Sequence, residues 1–160
     1  MLYRLILALM LLAVATAARA GQQSERQAPI VLDENQWVTF YDLPSRRFRA
    51  IRTAVLARNA EAASRDLAVT ANYLSIEAER SSAVLQGPMR DVVSRLNDLA
   101  AEIDQVTLDE LDGQFGRAHW LLAQHYLEFA RRARDARQAR NTSLYLTAIT
   151  HHLERAMLWS

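Results

Sequence analysis

The sequence predicts an all-α protein, an antiparallel bundle of four to five helices with an extended N-terminal arm. Three observations lead to this prediction. Alanine, leucine, arginine and glutamate, which favour helices, dominate the composition. The 160 residues include only four glycines and three prolines, which is few for a sandwich of many turns. Apolar residues in the second half recur at helical spacing, and short joints between helices favour antiparallel neighbours.

Residues 1–20 have the pattern of a secretory signal peptide. Arg4 gives a positive start, an apolar run follows, and Ala18-Arg19-Ala20 forms a cleavage site of the small-x-small type. The apolar run of about fourteen residues is shorter than the twenty or so that a membrane span needs. We expect cleavage after Ala20 and a periplasmic or secreted chain with no integral membrane anchor. An uncleaved N-terminal anchor is the alternative.

Residues 21–42 are predicted to form an extended or partly disordered arm. Its apolar patches contain β-branched and aromatic residues, but a two-stranded hairpin is marginal by itself in water. Trp37, Phe40 and Tyr41 are therefore expected to cover one end of the helical bundle, which occupies residues 43–160.

The first helix of the bundle is predicted to begin near Pro44 and to run to about residue 58. Proline suits the first turn of a helix, and Asp42 or Ser45 can cap it. Asn59 marks a tight turn because asparagine tolerates the left-handed conformation that closes a helix. Fusion of the first two helices into one is the alternative.

Gly87-Pro88 is predicted to separate the second helix, over residues 61–83, from a third over residues 89–104. Glycine and proline together are a strong signal for the end of a helix.

The last two helices are predicted over residues 108–137 and 143–159. Thr107 and Glu110 have the spacing of a capping box, which indicates where the first of the two begins. Asn141-Thr142-Ser143 is expected to cap the second. The arginines at 131–140 suit the negative end of a helix dipole, and a contact with an acidic partner or anionic lipid is the alternative.

All four histidines lie on these last two helices. His119 belongs to the apolar stripe of its helix, and His125 lies about 240° further round. His152 belongs to the stripe of the last helix, whereas His151 is expected nearer the solvent. We predict that His119 or His125 meets His152 between the helices.

Imidazole is a ligand for transition metals and haem iron, so His119, His125 and His152 form a candidate metal site whose cofactor the sequence does not identify. The alternative is that they are half-buried core groups, each bonded to backbone or to a partner side chain.

The sequence lacks the residues or motifs that several other kinds of functional site require. With no cysteine, the chain forms no disulfide and no thiolate metal site. It contains no Gly-x-Ser-x-Gly motif, no P-loop and no Glu-x-x-His pair, so we do not expect an enzyme. Loss of Arg4 and Arg19 with the signal peptide leaves seventeen of nineteen arginines against eighteen acidic residues, a net charge of −1. This balance does not favour nucleic acid as a partner.

The predicted helix-turn-helix runs from Ile51 to Leu74, and its packing and turn positions are Ile51, Ala54, Asn59, Ala63, Leu67, Ala71 and Leu74. At these positions it resembles the YfdX-like family of exported helical proteins. The resemblance implies an all-helical periplasmic protein with a stress-related or unassigned role. We therefore expect an exported, non-enzymatic binding or interaction module whose partner is another protein or a second copy. Binding of a metal, haem or small ligand between the last two helices is the alternative function.

Overall fold

A computed structural model describes residues 34–160, with side chains from Trp37 onward, and confirms the all-α fold class for this part of the chain. The predicted signal peptide and the start of the predicted arm lie outside the described residues. No helix within residues 34–160 combines the length and the apolar character that crossing a membrane requires. The helices are α1 (Glu34–Tyr41), α2 (Leu43–Leu56), α3 (Ala60–Arg80), α4 (Ala83–Ala101), a 3-10 turn (Ile103–Gln105), α5 (Leu108–Asp135) and α6 (Ala139–Leu158).

The end of the predicted arm is helical rather than extended, since it forms α1. Trp37 and Tyr41 lie one turn apart with ring centroids separated by 6.2 Å. Trp37 also donates its indole N–H to the Leu144 carbonyl oxygen at 3.1 Å and packs edge-on against Tyr145. Contacts with α6 therefore outweigh the local preference of these aromatic and β-branched residues for a strand.

The joint between α2 and α3 is a tight turn, so the alternative of one fused helix is not found. Arg58, rather than Asn59, is the left-handed residue, with φ of 55°. Asn59 caps α3 instead, because its Oδ1 accepts a hydrogen bond from the Ala62 N–H at 3.1 Å. An asparagine cap satisfies one of the free amides at a helix start.

The prediction that Gly87-Pro88 ends a helix is wrong, because both residues lie inside α4. The break falls earlier, at Ser81 and Ser82. There the carboxylate of Glu128, on α5, accepts hydrogen bonds from the Ser82 hydroxyl and, at 3.3 Å, from the Ser82 N–H. This distant carboxylate supplies the cap of α4. The helix tolerates the loss of the one backbone hydrogen bond that Pro88 cannot donate.

The start of α5 is confirmed, whereas the predicted start of α6 is wrong. Thr107 Oγ1 accepts from the Glu110 N–H at 3.3 Å, and the Glu110 carboxylate accepts from the Thr107 N–H at 3.1 Å, which completes the capping box. Arg137 turns the chain with φ of 57°, and α6 begins at Ala139. Residues 141–143 therefore lie inside α6 and do not cap it.

Helix α5 is the centre of the bundle and packs against α2, α4 and α6. Phe48 of α2 and Phe115 of α5 stack with ring centroids 4.1 Å apart. Burial of one such side chain contributes roughly 1.5–3 kcal/mol. Helices α5 and α6 also pack directly against each other as an antiparallel hairpin, which carries all four histidines. Further core residues are Ile51, Leu67, Leu74, Met89, Leu96, Leu99, Leu111 and Leu122.

Candidate functional site

His119 and His152 face each other in the core between α5 and α6. Both side chains are fully buried, with 0% exposure. Their Nδ1 atoms are 3.0 Å apart and their ring centroids 5.2 Å apart. The antiparallel hairpin brings the two residues together because each lies on the apolar stripe of its helix. The predicted meeting of His152 with a histidine of α5 is therefore found, and the partner is His119.

The short contact between the two Nδ1 atoms fixes the roles of the nitrogens. One Nδ1 must carry a proton and donate, and the other must accept, so the two imidazoles are opposite tautomers. Neither Nε2 atom has a hydrogen-bond partner among the described residues. The pair therefore retains one buried N–H and one buried lone pair without partners, which is unusual because buried polar groups are nearly always satisfied.

Aromatic rings enclose the pair and keep it neutral. Phe48 meets the His119 ring edge-on at 5.2 Å, and Tyr126 stacks on His152 at 5.4 Å. Burial, followed by the neighbouring His151 and Arg155, lowers the pKa of His119 from 6.5 to about 3. Burial, followed by the neighbouring His119 and His151, also holds the pKa of His152 well below its usual value.

His125 belongs to a separate cluster and does not join His152, so the three predicted ligands do not converge. Its Nε2 lies 2.9 Å from Glu77 Oε2, and its Nδ1 lies 2.8 Å from Ser81 Oγ. Its position about 240° round α5 from His119 directs it toward α3. His125 has a partner on each nitrogen and therefore serves the joint between α3 and α4. Within residues 34–160, no three histidine, aspartate or glutamate side chains are placed to hold a metal ion.

His151 lies at the edge of the bundle against the start of α2. Its Nε2 is 2.8 Å from Ser45 Oγ and 3.2 Å from Asp42 Oδ1. Partial burial lowers the pKa of His151, although Asp42 acts in the opposite direction. Serine, histidine and aspartate are the residues of a catalytic triad, but there the acid bonds Nδ1 while the serine bonds Nε2. Here both partners share Nε2, and Ser45 is only 1% exposed.

An apolar groove with a volume of about 710 Å³ lies on the outer face of the α5–α6 hairpin. Two large side chains stand at its edges, Trp120 with 52% and Met157 with 69% exposure. Gly116 forms part of its floor, where an added Cβ would lie 3.4 Å from two carbonyl oxygens of α6. Sequence analysis missed this groove, although Trp120 lies off the apolar stripe of α5. The lining residues are Gly113, Gly116, Arg117, Trp120, Leu153, Ala156, Met157, Trp159 and Ser160.

Exposed arginines lie along α5, one at the groove and three near the C-terminal end of the helix, 11 to 14 residues beyond Trp120. Between residues 113 and 134 of α5, the exposed charged residues are all arginines, namely Arg117, Arg131, Arg132 and Arg134. The only acidic residue of α6 is Glu154. Arg117 lies 3.8 Å from Asp91, in an exposed pair that stabilises the fold by little.

No protein-family model, no curated protein and no solved structure matches this chain. The resemblance to YfdX-like proteins therefore remains a prediction. The fold and the two sites define an all-α bundle with a buried histidine pair and an apolar groove beside Arg117.

Proposed function

We propose that the chain is an exported, non-enzymatic interaction module that binds an acidic amphipathic helix of a partner protein. The observation that carries this proposal is the groove between Trp120 and Met157. Two large, exposed apolar side chains beside an apolar trough are a common feature of protein-binding surfaces.

A helix is the occupant that suits the shape of the groove. Helices bind in grooves through apolar side chains spaced three and four residues apart. The small residues Gly113, Gly116 and Ala156 allow close approach of a backbone, and Trp120 and Met157 can close over its apolar face. Methionine adapts to irregular partners because it is flexible and polarizable.

The charges around the groove favour an acidic partner over a second copy. Two identical copies meeting through this face would bring the arginines of one α5 toward those of the other. Glu154 is the one acidic residue that α6 contributes against them. Acidic side chains flanking the apolar stripe of a partner helix would pair with the arginines and speed association.

Two synthetic peptides of equal length test the proposal. Both carry the same leucine stripe, flanked by glutamate in one peptide and by lysine in the other. Fluorescence anisotropy should show binding of the glutamate peptide and at least about tenfold weaker binding of the lysine peptide. Trp120→Ala/Met157→Ala should weaken binding of the glutamate peptide by about tenfold or more, whereas Val84→Ala, which alters an exposed residue outside the groove, should not.

Equal affinity for the two peptides, or unchanged binding by the double variant, would contradict the proposal. Sedimentation over a range of protein concentrations tests the competing occupant. A dimer that Trp120→Ala/Met157→Ala dissociates would assign the groove to a second copy. Export is tested separately, since N-terminal sequencing of the periplasmic protein should show a chain that begins at Gly21.

Metal binding at His119 and His152 is a second candidate function, favoured by the two buried Nε2 atoms without partners. An ion that binds both Nδ1 atoms at metal–nitrogen distances of about 2.0 Å and a tetrahedral angle would need the two nitrogens about 3.3 Å apart, so the rings would have to separate slightly. Two imidazoles alone leave further coordination positions to water or another ligand.

Added zinc, copper or haemin would then raise the melting temperature of the wild type, and haemin would also produce a Soret band. His152→Ala should abolish these effects, and His151→Gln should preserve them. Colourless, metal-free protein whose melting temperature none of the three changes would exclude this function.

A further inference from the structure

A second apolar groove lies at the joint where α5 ends and α6 begins. Its volume is about 510 Å³. Arg134 lines this joint groove from the end of α5, and Ala139 and Leu146 line it from the first half of α6. Leu146 is 51% exposed. The α5–α6 hairpin therefore has two grooves, the joint groove and, toward its opposite end, the groove between Trp120 and Met157, here called the Trp120 groove.

The two grooves belong to one face of the hairpin. Trp120, Leu127 and Arg134 are seven residues apart along α5, and Leu146 and Leu153 are seven apart along α6. Seven residues make almost two full turns, so these positions lie on one side of each helix. Trp120 and Leu153 line the Trp120 groove, whereas Arg134 and Leu146 line the joint groove. The exposed Leu127 lies between them, and the face extends for about 21 Å from Trp120 to Arg134 at 1.5 Å per residue.

The joint end of this face carries a positive charge. Over residues 128–140, five arginines and two acidic residues give a net charge of 5 − 2 = +3. Glu128 and Asp135 form ion pairs with Arg132 and Arg134. The other three arginines have no carboxylate within ion-pair distance among the described residues. At the start of α5 the sign is opposite, because residues 109–112 contribute three carboxylates and no basic side chain. The three arginines without a carboxylate are Arg131, Arg137 and Arg140.

We propose, as an extension that rests on the proposed groove function, that the partner helix spans both grooves and carries its acidic residues at one end, against the arginines of the joint. Arg131 is 11 residues beyond Trp120, or about 16 Å along α5. A short helix confined to the Trp120 groove does not reach that far. A helix of about 21 residues, or three heptads, covers both grooves, and apolar residues at heptad spacing keep one side of it on the face.

The shape of the face favours a single helix over a second copy of the chain. Trp120 and Met157 stand at the edges of a trough. A convex helix fills a trough, whereas the same trough on a second copy would meet it edge to edge. The partner is accordingly one amphipathic helix of another protein, apolar along its length and acidic in one terminal heptad.

Two fluorescent peptides of equal length and composition test the charge pattern. Both have three heptads and the same leucine stripe, but the glutamates occupy a terminal heptad in one and the central heptad in the other. Fluorescence anisotropy at low ionic strength should show at least about tenfold tighter binding of the end-acidic peptide, and added salt should reduce the difference. Arg131→Gln/Arg134→Gln should weaken this preference at least about threefold. Arg90→Gln, which removes an exposed arginine on α4, should retain it.

Disulfide cross-linking tests where the acidic end lies. The chain has no cysteine, so one introduced thiol reports one position. Ser143→Cys places the thiol at the joint groove and Ser160→Cys places it at the Trp120 groove, and both serines are exposed. A peptide with a cysteine at its glutamate end should form a mixed disulfide with Ser143→Cys at least about tenfold faster than with Ser160→Cys. Moving the peptide cysteine to the opposite end should reverse the preference.

Each possible failure has a different meaning. Binding of both peptides with equal affinity, or equal cross-linking at the two positions, would overturn the extended, end-acidic partner and leave the groove function intact. Failure of both peptides to bind would refute the groove function and this extension together. A disulfide between Ser143→Cys and Ser160→Cys chains mixed without peptide would assign the face to a second copy arranged head to tail, which also overturns the proposal.

Discussion

Acid should destabilise the fold through the His119–His152 pair. Burial lowers the pKa of His119 from 6.5 to about 3, and His151 and Arg155 contribute in the same direction. Because the folded pKa lies below the unfolded pKa, the unfolded chain binds the proton more readily. The contribution of His119 to stability is therefore fully present above pH 6.5 and is lost as the pH falls toward 3.

The size of the effect follows from these two pKa values. Between about pH 7 and about pH 5, the unfolded imidazole becomes mostly protonated while the folded one stays neutral, which lowers the free energy of unfolding by about 2 kcal/mol. The pKa of His152 is also held well below its usual value, by burial and then by His119. If both imidazoles stay neutral in the fold, the loss is about 4 kcal/mol, a large part of the 5–15 kcal/mol typical of a domain.

Urea unfolding across this pH range measures the loss. The comparison is with His119→Leu/His152→Leu, which replaces both partners and so leaves neither imidazole unpaired. Carboxylates contribute equally to the pH dependence of the two proteins. The difference between the two proteins in this dependence therefore reports the histidine pair alone. Leu99→Ala, a core substitution without a titrating group, should lower stability and leave the pH dependence unchanged. Equal losses in the wild type and the double variant would refute the argument from burial.

Four further substitutions have expected effects on the free energy of unfolding, each measured by urea denaturation. Pro88→Ala should raise it by about 1–3 kcal/mol, because alanine restores an amide donor inside α4; no gain would mean that the helix start has adapted to proline. Thr107→Ala should lower it by about 1 kcal/mol by removing the cap, whereas an unchanged value would show that Glu110 alone suffices. Glu77→Leu and His125→Leu should each lower it by about 1–3 kcal/mol by leaving a buried partner unpaired, and the double variant should lose less than the sum of the two.

Features that depend on neighbours in the sequence could be predicted, and the start of α5 is the clearest case. Thr107 and Glu110 are three residues apart, and their reciprocal hydrogen bonds involve only each other. The break before α4 is the opposite case. Its capping acceptor, Glu128, lies 46 residues beyond Ser82, and the local signal at Gly87-Pro88 gave the wrong position. A helix boundary set by a distant side chain cannot be read from local spacing.

The pairing of the histidines was predictable only in part. Six residues along one helix place His119 and His125 on different sides of α5, and the structure has them facing α6 and α3. Which of them meets His152 depends on how α5 and α6 are rotated against each other. That rotation reflects packing such as the close approach of Gly116 to the backbone of α6, where an added Cβ would lie 3.4 Å from the Ala156 carbonyl oxygen. The spacing of residues along one helix does not predict this rotation.

The hydrogen-bonding partners of each nitrogen separate the structural histidine from the candidate ligands. Both nitrogens of His125 have partners, Glu77 and Ser81, so a ligand would have to displace an existing bond. His119 and His152 use one nitrogen each and leave the other buried and unpaired. An unpaired polar atom in a core is unfavourable for folding alone. The two unpaired Nε2 atoms are therefore the observation on which the proposed ligand of this pair rests.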